Sequence, residues 1–153
     1  MSKLTKNLHG KVIAVASDHA GYNKKTVVIK YFEKKGIPYK DLGCYSEKSC
    51  DYPDFAHKIA EAIEKKEYEC GITFCGSGQG INITANKYQN IRSALCWNTE
   101  ISKLARAHND SNICAIPSRF VSDEQAIAIV ETFLTSEFEG ERHTRRVEKI
   151  SLM

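Results

Sequence analysis

The stretch CGITFCGSGQG, residues 70–80, decides how the chain is read. Cys70 to Cys75 is a short apolar, β-prone run. It breaks into Gly76-Ser77-Gly78-Gln79-Gly80, and Gly80 to Lys87 reads as a short helix. A buried strand, a glycine turn and a helix in immediate succession form half of a βαβ unit. The same alternation runs in both directions from there. Upstream lie a strand at Lys11–Ala16, a helix at Asn23–Lys35 stopped by Gly36, and a weaker strand at Ile37–Leu42. Pro38 sets that weaker strand near a sheet edge, because proline donates nothing to a ladder. Pro53 suits a first helical turn, and Ala56, Ile59, Ala60 and Ile63 follow on one face. Downstream come a strand at Ile91–Cys96, a helix at Thr99–Ala107 and a strand at Asn112–Ile116. A capping box, Ser122 with Gln125, then opens a helix through Ala126, Ile127, Val130, Phe133 and Leu134. A last helix is expected over Arg142–Ile150.

Strands alternating with helices predict an α/β fold: a five-stranded parallel sheet with helices on both faces, in the doubly wound, flavodoxin-like order 2-1-3-4-5. The 153 residues suffice for one well-buried core. Residues 1–10 read as a polar tail and 11–153 as a single domain. The net charge of +3 gives no support to a nucleic-acid partner. No apolar run approaches the roughly 18 residues of a membrane span, and the start lacks the apolar core of a signal peptide. These features place the chain in the cytoplasm, where its six cysteines stay reduced. No C-x-x-C pair occurs among them, which weighs against a structural zinc site.

In this topology ligands bind beyond the carboxyl ends of the strands, where the strand order reverses between strands 1 and 3. Two glycine-bearing tips meet there, Ser17-Asp18-His19-Ala20-Gly21 and Cys75-Gly76-Ser77-Gly78-Gln79-Gly80. The second matches neither the P-loop pattern nor the dinucleotide fingerprint. It reads as a cradle of backbone N–H groups for an anion, or equally as a tight strand-to-helix crossing. Cys75 stands beside those N–H groups. A helix start lowers a thiol's pKa from about 8.5, so Cys75 is a candidate base or nucleophile. Asp18 and His19 could hold hydroxyls or an anion. Tyr52 could reach over the pocket, with Asp51 and Asp54 as alternative helix caps.

His108-Asn109-Asp110 ends a helix, and position alone leaves it outside the crevice. A capped helix end is the plainer reading there. Arg142 and Arg146, four apart, share a helix face that suits a phosphate; a solvated basic face is the alternative. Arg119, after strand 5, could join the same anion site. His9 and His57 read as surface histidines. The parts together suit proton abstraction next to a carbonyl in a small phosphorylated ligand.

Ser17-Asp18-His19-Ala20-Gly21, Asp51-Tyr52-Pro53, Cys75 through Gly80, Ala85-Asn86-Lys87, His108-Asn109-Asp110 and Gly140-Glu141-Arg142-His143 resemble the motifs of type B ribose-5-phosphate isomerases. Galactose-6-phosphate isomerase subunits belong to the same family. The match runs from about Lys11 to Ile150. The resemblance implies a Rossmann-like fold, an aldose–ketose isomerase of ribose 5-phosphate, no metal or other cofactor, and a homodimer or dimer of dimers with the active site at the interface. It implies that Cys75 is the base, assisted by Ser77. N–H groups from Gly76 to Gly80, Gly78 among them, would stabilise the enediolate. His108 would open the ring with support from Tyr52. Asp18 and Asn109 would hold sugar oxygens, and His19, Arg119, Arg142 and Arg146 the phosphate. Ser77 stands where many relatives carry threonine. Ile81 stands where one branch uses a glutamate base. Pro117 replaces an expected glycine ahead of Arg119, which bears on where that arginine points. A 6-phosphohexose substrate (allose or galactose 6-phosphate) and a non-catalytic sugar-phosphate-binding module are the alternatives.

Overall fold

The computed structural model describes Leu8 and residues 10–151. The polar tail expected over residues 1–10 therefore lies mostly outside the described residues, as does His9. Leu8 is buried against the core. Five parallel strands form one sheet: β1 (Ile13–Ser17), β2 (Tyr39–Asp41), β3 (Gly71–Cys75), β4 (Ser93–Leu95) and β5 (Ile113–Pro117). The helices are α1 (Tyr22–Lys35), α2 (Tyr52–Glu64), α3 (Gln79–Ala85), α4 (Thr99–Asn109), α5 (Asp123–Thr135) and α6 (Arg142–Glu148).

Strand parity sorts the helices into two layers. Ile13 and Val15 of β1, with Ile72, Phe74, Cys114 and Ile116, pack with Val28 and Phe32 of α1 and Ile129, Val130 and Phe133 of α5. Ala14 and Ala16 face the other way, toward Ile59, Ala60 and Ile63 of α2 and Ala85 of α3. Cys75 shares that second side with Ala56, Ile81 and Ala115. Full burial of a side chain the size of Phe32, Phe74 or Phe133 contributes about 1.5–3 kcal/mol each.

The strand order is β2-β1-β3-β5-β4, so the expected 2-1-3-4-5 is corrected at one edge. The reason lies in composition. All five residues of β5, ICAIP, are buried, whereas all three of β4, SAL, are only partly covered. An inner parallel strand must be apolar on both faces, so β5 takes the inner place. The outer strand is tied down by Asn86. Its amide donates to the Ser93 carbonyl (2.9 Å) and accepts from the Ser93 N–H (2.8 Å), as a neighbouring strand would. The reversal of order between β1 and β3 stands as expected.

Local signals held closely. Gly36 caps α1 at φ 68°, a left-handed turn that favours glycine. Ser122 and Gln125 form the reciprocal capping box of α5. Asp51 occupies the N-cap position of α2 but its side chain makes no capping bond. The last helix stops at Glu148, two residues short of the expected end.

Candidate active site

The β1 tip is pulled against β3 by a glycine. A Cβ on Gly21 would lie 2.2 Å from the Phe74 carbonyl oxygen, so only glycine lets α1 start here. Asp18 follows β1 and is buried, with 5% of its surface exposed. Its Oδ1 accepts the Gly21 N–H at 2.9 Å. Its Oδ2 accepts the Cys75 thiol at 3.2 Å. The tips of β1 and β3 are thus joined through the two groups expected to face one another.

The glycine turn shapes what surrounds the thiol. Gly78 sits at φ 75° at the start of α3, and Gly78 and Ile81 direct their N–H groups at the Cys75 sulfur. A Cβ on Gly80 would come within 2.5 Å of the Tyr52 ring, so Tyr52 lies across the turn. Ser77 is exposed, and its Oγ accepts the Gln79 N–H at 3.3 Å. The Ser118 and Arg119 N–H groups bond the carbonyls of Cys75 and Gly76 at 2.9 and 3.0 Å. Pro117 pairs with Cys75 in the sheet register. It does not turn Arg119 away: the guanidinium Nη1 stands 3.1 Å from where a Gly76 Cβ would be. His19 is tethered through Nδ1, which lies 3.2 Å from both the backbone nitrogen and the carbonyl oxygen of Cys50.

Burial pushes the Cys75 thiol above its ordinary pKa. The hydrogen bond to Asp18 and that carboxylate's charge act in the same direction, against the pull of the Ile81 and Gly78 N–H groups. The expected lowering by the helix start is therefore present but outweighed, and the sequence reading is corrected on this point.

A second group forms elsewhere. α4 runs back from the carboxyl edge, so its last turn stands at the pole where the strands begin. Asp110 pins it there through ion pairs to Arg92 (3.2 Å) and Arg106 (2.8 Å). The His108 ring stacks on His143, centroids 4.2 Å apart and 13° from parallel. Both Nε2 atoms face Glu139 Oε2, at 3.7 and 3.6 Å. Burial pushes the His143 imidazole below its ordinary pKa, and the neighbouring His108 and Arg142 act the same way. Asn109, Arg142 and Arg146 are exposed nearby in sequence. His57 is exposed and bonds the Tyr88 hydroxyl through Nδ1 at 2.7 Å.

One chain therefore brings Asp18, His19, Tyr52, Cys75, Gly76, Ser77, Gly78, Gly80 and Arg119 to a single crevice. His108, Asn109, Arg142 and Arg146 remain at the other pole. Sequence reasoning missed Glu139, which lies in a loop with no periodic pattern. It also missed Lys25, a fully buried lysine paired with Asp41 at 2.7 Å. A lysine within a helical run carries no mark of burial in the sequence.

A family model described as Ribose/Galactose Isomerase matches residues 13–150. Ribose-5-phosphate isomerase B of Escherichia coli (strain K12) is 39% identical over 141 residues, 92% of this chain and 95% of that relative. A ribose 5-phosphate isomerase from Thermotoga maritima shares the fold with a TM-score of 0.92 at 46% identity, covering 95% of this chain and 100% of that one. Ribose-5-phosphate isomerase B from Mycoplasma genitalium, solved with bound ribulose-5-phosphate, gives 0.86 at 39% identity over 91% and 93% of the two chains. With the motifs matched along nearly the whole length and the same sheet beneath them, the chain belongs to the Ribose/Galactose Isomerase family.

Proposed function

We propose that the protein interconverts ribose 5-phosphate and ribulose 5-phosphate through an enediolate. The observation that carries this reading is the Cys75 thiol at the crevice, hydrogen-bonded to Asp18 and faced by the Gly78 and Ile81 N–H groups. Ionised, Cys75 takes the C2 proton of the open-chain aldose and returns it to C1. A thiol of raised pKa is a strong base once ionised. The charge that develops on oxygen meets the N–H groups of Gly76 to Gly80, donors already fixed in place by the turn. Ser77 assists this transfer through its hydroxyl.

Ring opening falls to His108, with Tyr52 supporting the sugar. Asp18 and Asn109 hold hydroxyls, and His19, Arg119, Arg142 and Arg146 hold the phosphate. In this reading a second copy of the chain supplies His108, Asn109, Arg142 and Arg146 to the crevice of the first. Exposed apolar side chains are available for a partner copy to cover: Phe120, next to Arg119 in the chain, is 72% exposed, Ile83 57% and Trp97 52%. The test is incubation in deuterated water with ribose 5-phosphate, and separately with allose and galactose 6-phosphates. The reading expects ketose formation and deuterium uptake at C2 of the pentose. Turnover of a hexose phosphate alone would replace it.

A further inference from the structure

We propose that Cys44 and Cys50 are an oxidation site, a thiol pair that a peroxide closes into a disulfide and that thereby loosens the hold of Cys50 on His19. Both cysteines are fastened to the tip of β1, at residues two apart. The Cys44 N–H donates to the Ser17 carbonyl at 2.9 Å, and the Ser17 N–H to the Gly43 carbonyl at 2.7 Å. The Cys44 sulfur lies 3.6 Å from the Ser17 hydroxyl. The Cys50 sulfur lies 3.9 Å from His19 Nδ1, and the His19 N–H is directed at it. The two thiols come close enough to share a hydrogen bond.

The surroundings suit a bond forming between them. Residues 42–51 join β2 to α2 with neither helix nor strand, and residues 45–49 are exposed. This segment can give, so the sulfurs can close to the roughly 2.05 Å of a disulfide. Cys50 is partly exposed and Cys44 is buried, which assigns the order of events. The Cys50 thiolate attacks one peroxide oxygen. The O–O bond breaks, and hydroxide leaves with its electron pair, to be protonated to water by the proton that Cys50 gave up. Cys50 is now a sulfenic acid. The Cys44 sulfur then attacks the Cys50 sulfur, the S–S bond forms, the S–O bond breaks, and the hydroxyl leaves as water with the Cys44 proton. Two thiols are oxidised and one peroxide is reduced to two waters.

Burial, and then the Cys44 sulfur, holds the Cys50 thiol above its ordinary pKa, against the pull of the His19 N–H. Little thiolate is present at neutral pH, so the attack is slow. The reduced form is not held as thiolate either, which favours the disulfide once it has formed. Such a pair suits a reducing setting, where disulfides are transient and sense oxidants.

The consequence rests on the reading of His19 as a phosphate-holding group. Cys50 flanks His19 Nδ1 with its N–H and its carbonyl, both at 3.2 Å. Drawing Cys50 toward Cys44 undoes that tether, so the oxidised protein holds the phosphate less well while Cys75 keeps its place.

The test treats the full-length protein with hydrogen peroxide at about pH 8.5, near the ordinary thiol pKa. Tryptic peptides are then mapped without reduction. Cleavage after Lys40, Lys48 and Lys58 puts Cys44 in the peptide 41–48 and Cys50 in 49–58, so the disulfide appears as these two joined. The joined pair is expected within a single chain on a non-reducing gel, and dithiothreitol is expected to separate it. KM for ribose 5-phosphate is expected to rise about tenfold in the oxidised protein, the worth of one net hydrogen bond, and to return on reduction. Cys44→Ser keeps a donor for the Ser46 carbonyl and is expected to show neither the joined peptides nor the KM change. Oxidation of Cys75 lowers kcat in both proteins alike and is read apart from KM. Peptides that stay separate, or Cys50 joined to any cysteine other than Cys44 of its own chain, overturn the site. Joined peptides with an unmoved KM leave the pair standing and overturn the role of His19 at the phosphate.

Discussion

The Cys75 thiol donates to Asp18 Oδ2 at 3.2 Å, and with the Asp18 N–H on the Phe74 carbonyl it joins the tips of β1 and β3. Burial first, and then Asp18, holds the thiol above its ordinary pKa. Alkylation of Cys75 by iodoacetamide, read on its own peptide by mass spectrometry, is therefore expected to rise with pH through a midpoint above the ordinary thiol value. Asp18→Asn removes the charge that favours the protonated form, so its midpoint moves to lower pH. An unmoved midpoint would show that Asp18 does not govern the thiol.

Two glycines of the site are expected to respond differently to alanine. The Cβ of Gly80→Ala meets the outer ring atoms of Tyr52 at 2.5–2.8 Å, and that half-exposed ring can swing aside. Stability is expected to change little, while kcat/KM falls about tenfold, the equivalent of one net hydrogen bond. Tyr52→Ala should give the same loss and the double variant nothing further. Gly21→Ala instead drives its Cβ to 2.2 Å from the Phe74 carbonyl oxygen, which cannot step away. That variant is expected not to fold, as read by circular dichroism.

Lys25 is fully buried and joins α1 to Asp41 and the Cys44 carbonyl. Breaking a buried pair destabilises by about 3–5 kcal/mol, and Asp41, with 26% of its side chain in water, sets the expectation near the lower end. Lys25→Met is expected to lose about 3 kcal/mol in urea unfolding, and Lys25→Met with Asp41→Asn to recover part of it. Equal losses in the single and double variants would argue against the pair.

Legibility in the sequence followed the range of the forces involved. Apolar runs and punctuating residues such as Gly36 and the Ser122–Gln125 box act locally, and they located the strands β1 to β5 and the helices α1 to α6. The crevice was legible too, because the switch between β1 and β3 depends only on which strands are early and which are apolar. The order of β4 and β5 was missed because it depends on a comparison, the full burial of ICAIP against the partial cover of SAL. The direction of the Cys75 pKa was missed because burial and the Asp18 contact are properties of the folded site, whereas the helix start can be read from neighbours. Glu139 was missed because what gives it meaning is the approach of His108 and His143 from two other elements.

A site shared between two chains makes a prediction that a site within one chain does not. Cys75→Ala and His108→Ala proteins are each expected to be inactive. Mixed and refolded together, they should regain activity, because a hybrid pair holds one crevice with both residues intact. No recovery in hybrids confirmed by mass spectrometry would place the whole site within one chain.

The central claim is that the Cys75 sulfur moves the proton. The measurement that meets it most directly is C2 hydrogen exchange of ribose 5-phosphate in deuterated water by Cys75→Ala, alongside substrate affinity. Removing a general base typically lowers the rate by about 10²–10⁴-fold, and exchange is expected to fall by at least that range with binding preserved. Exchange at the unaltered rate in a variant that binds the sugar phosphate would contradict the account.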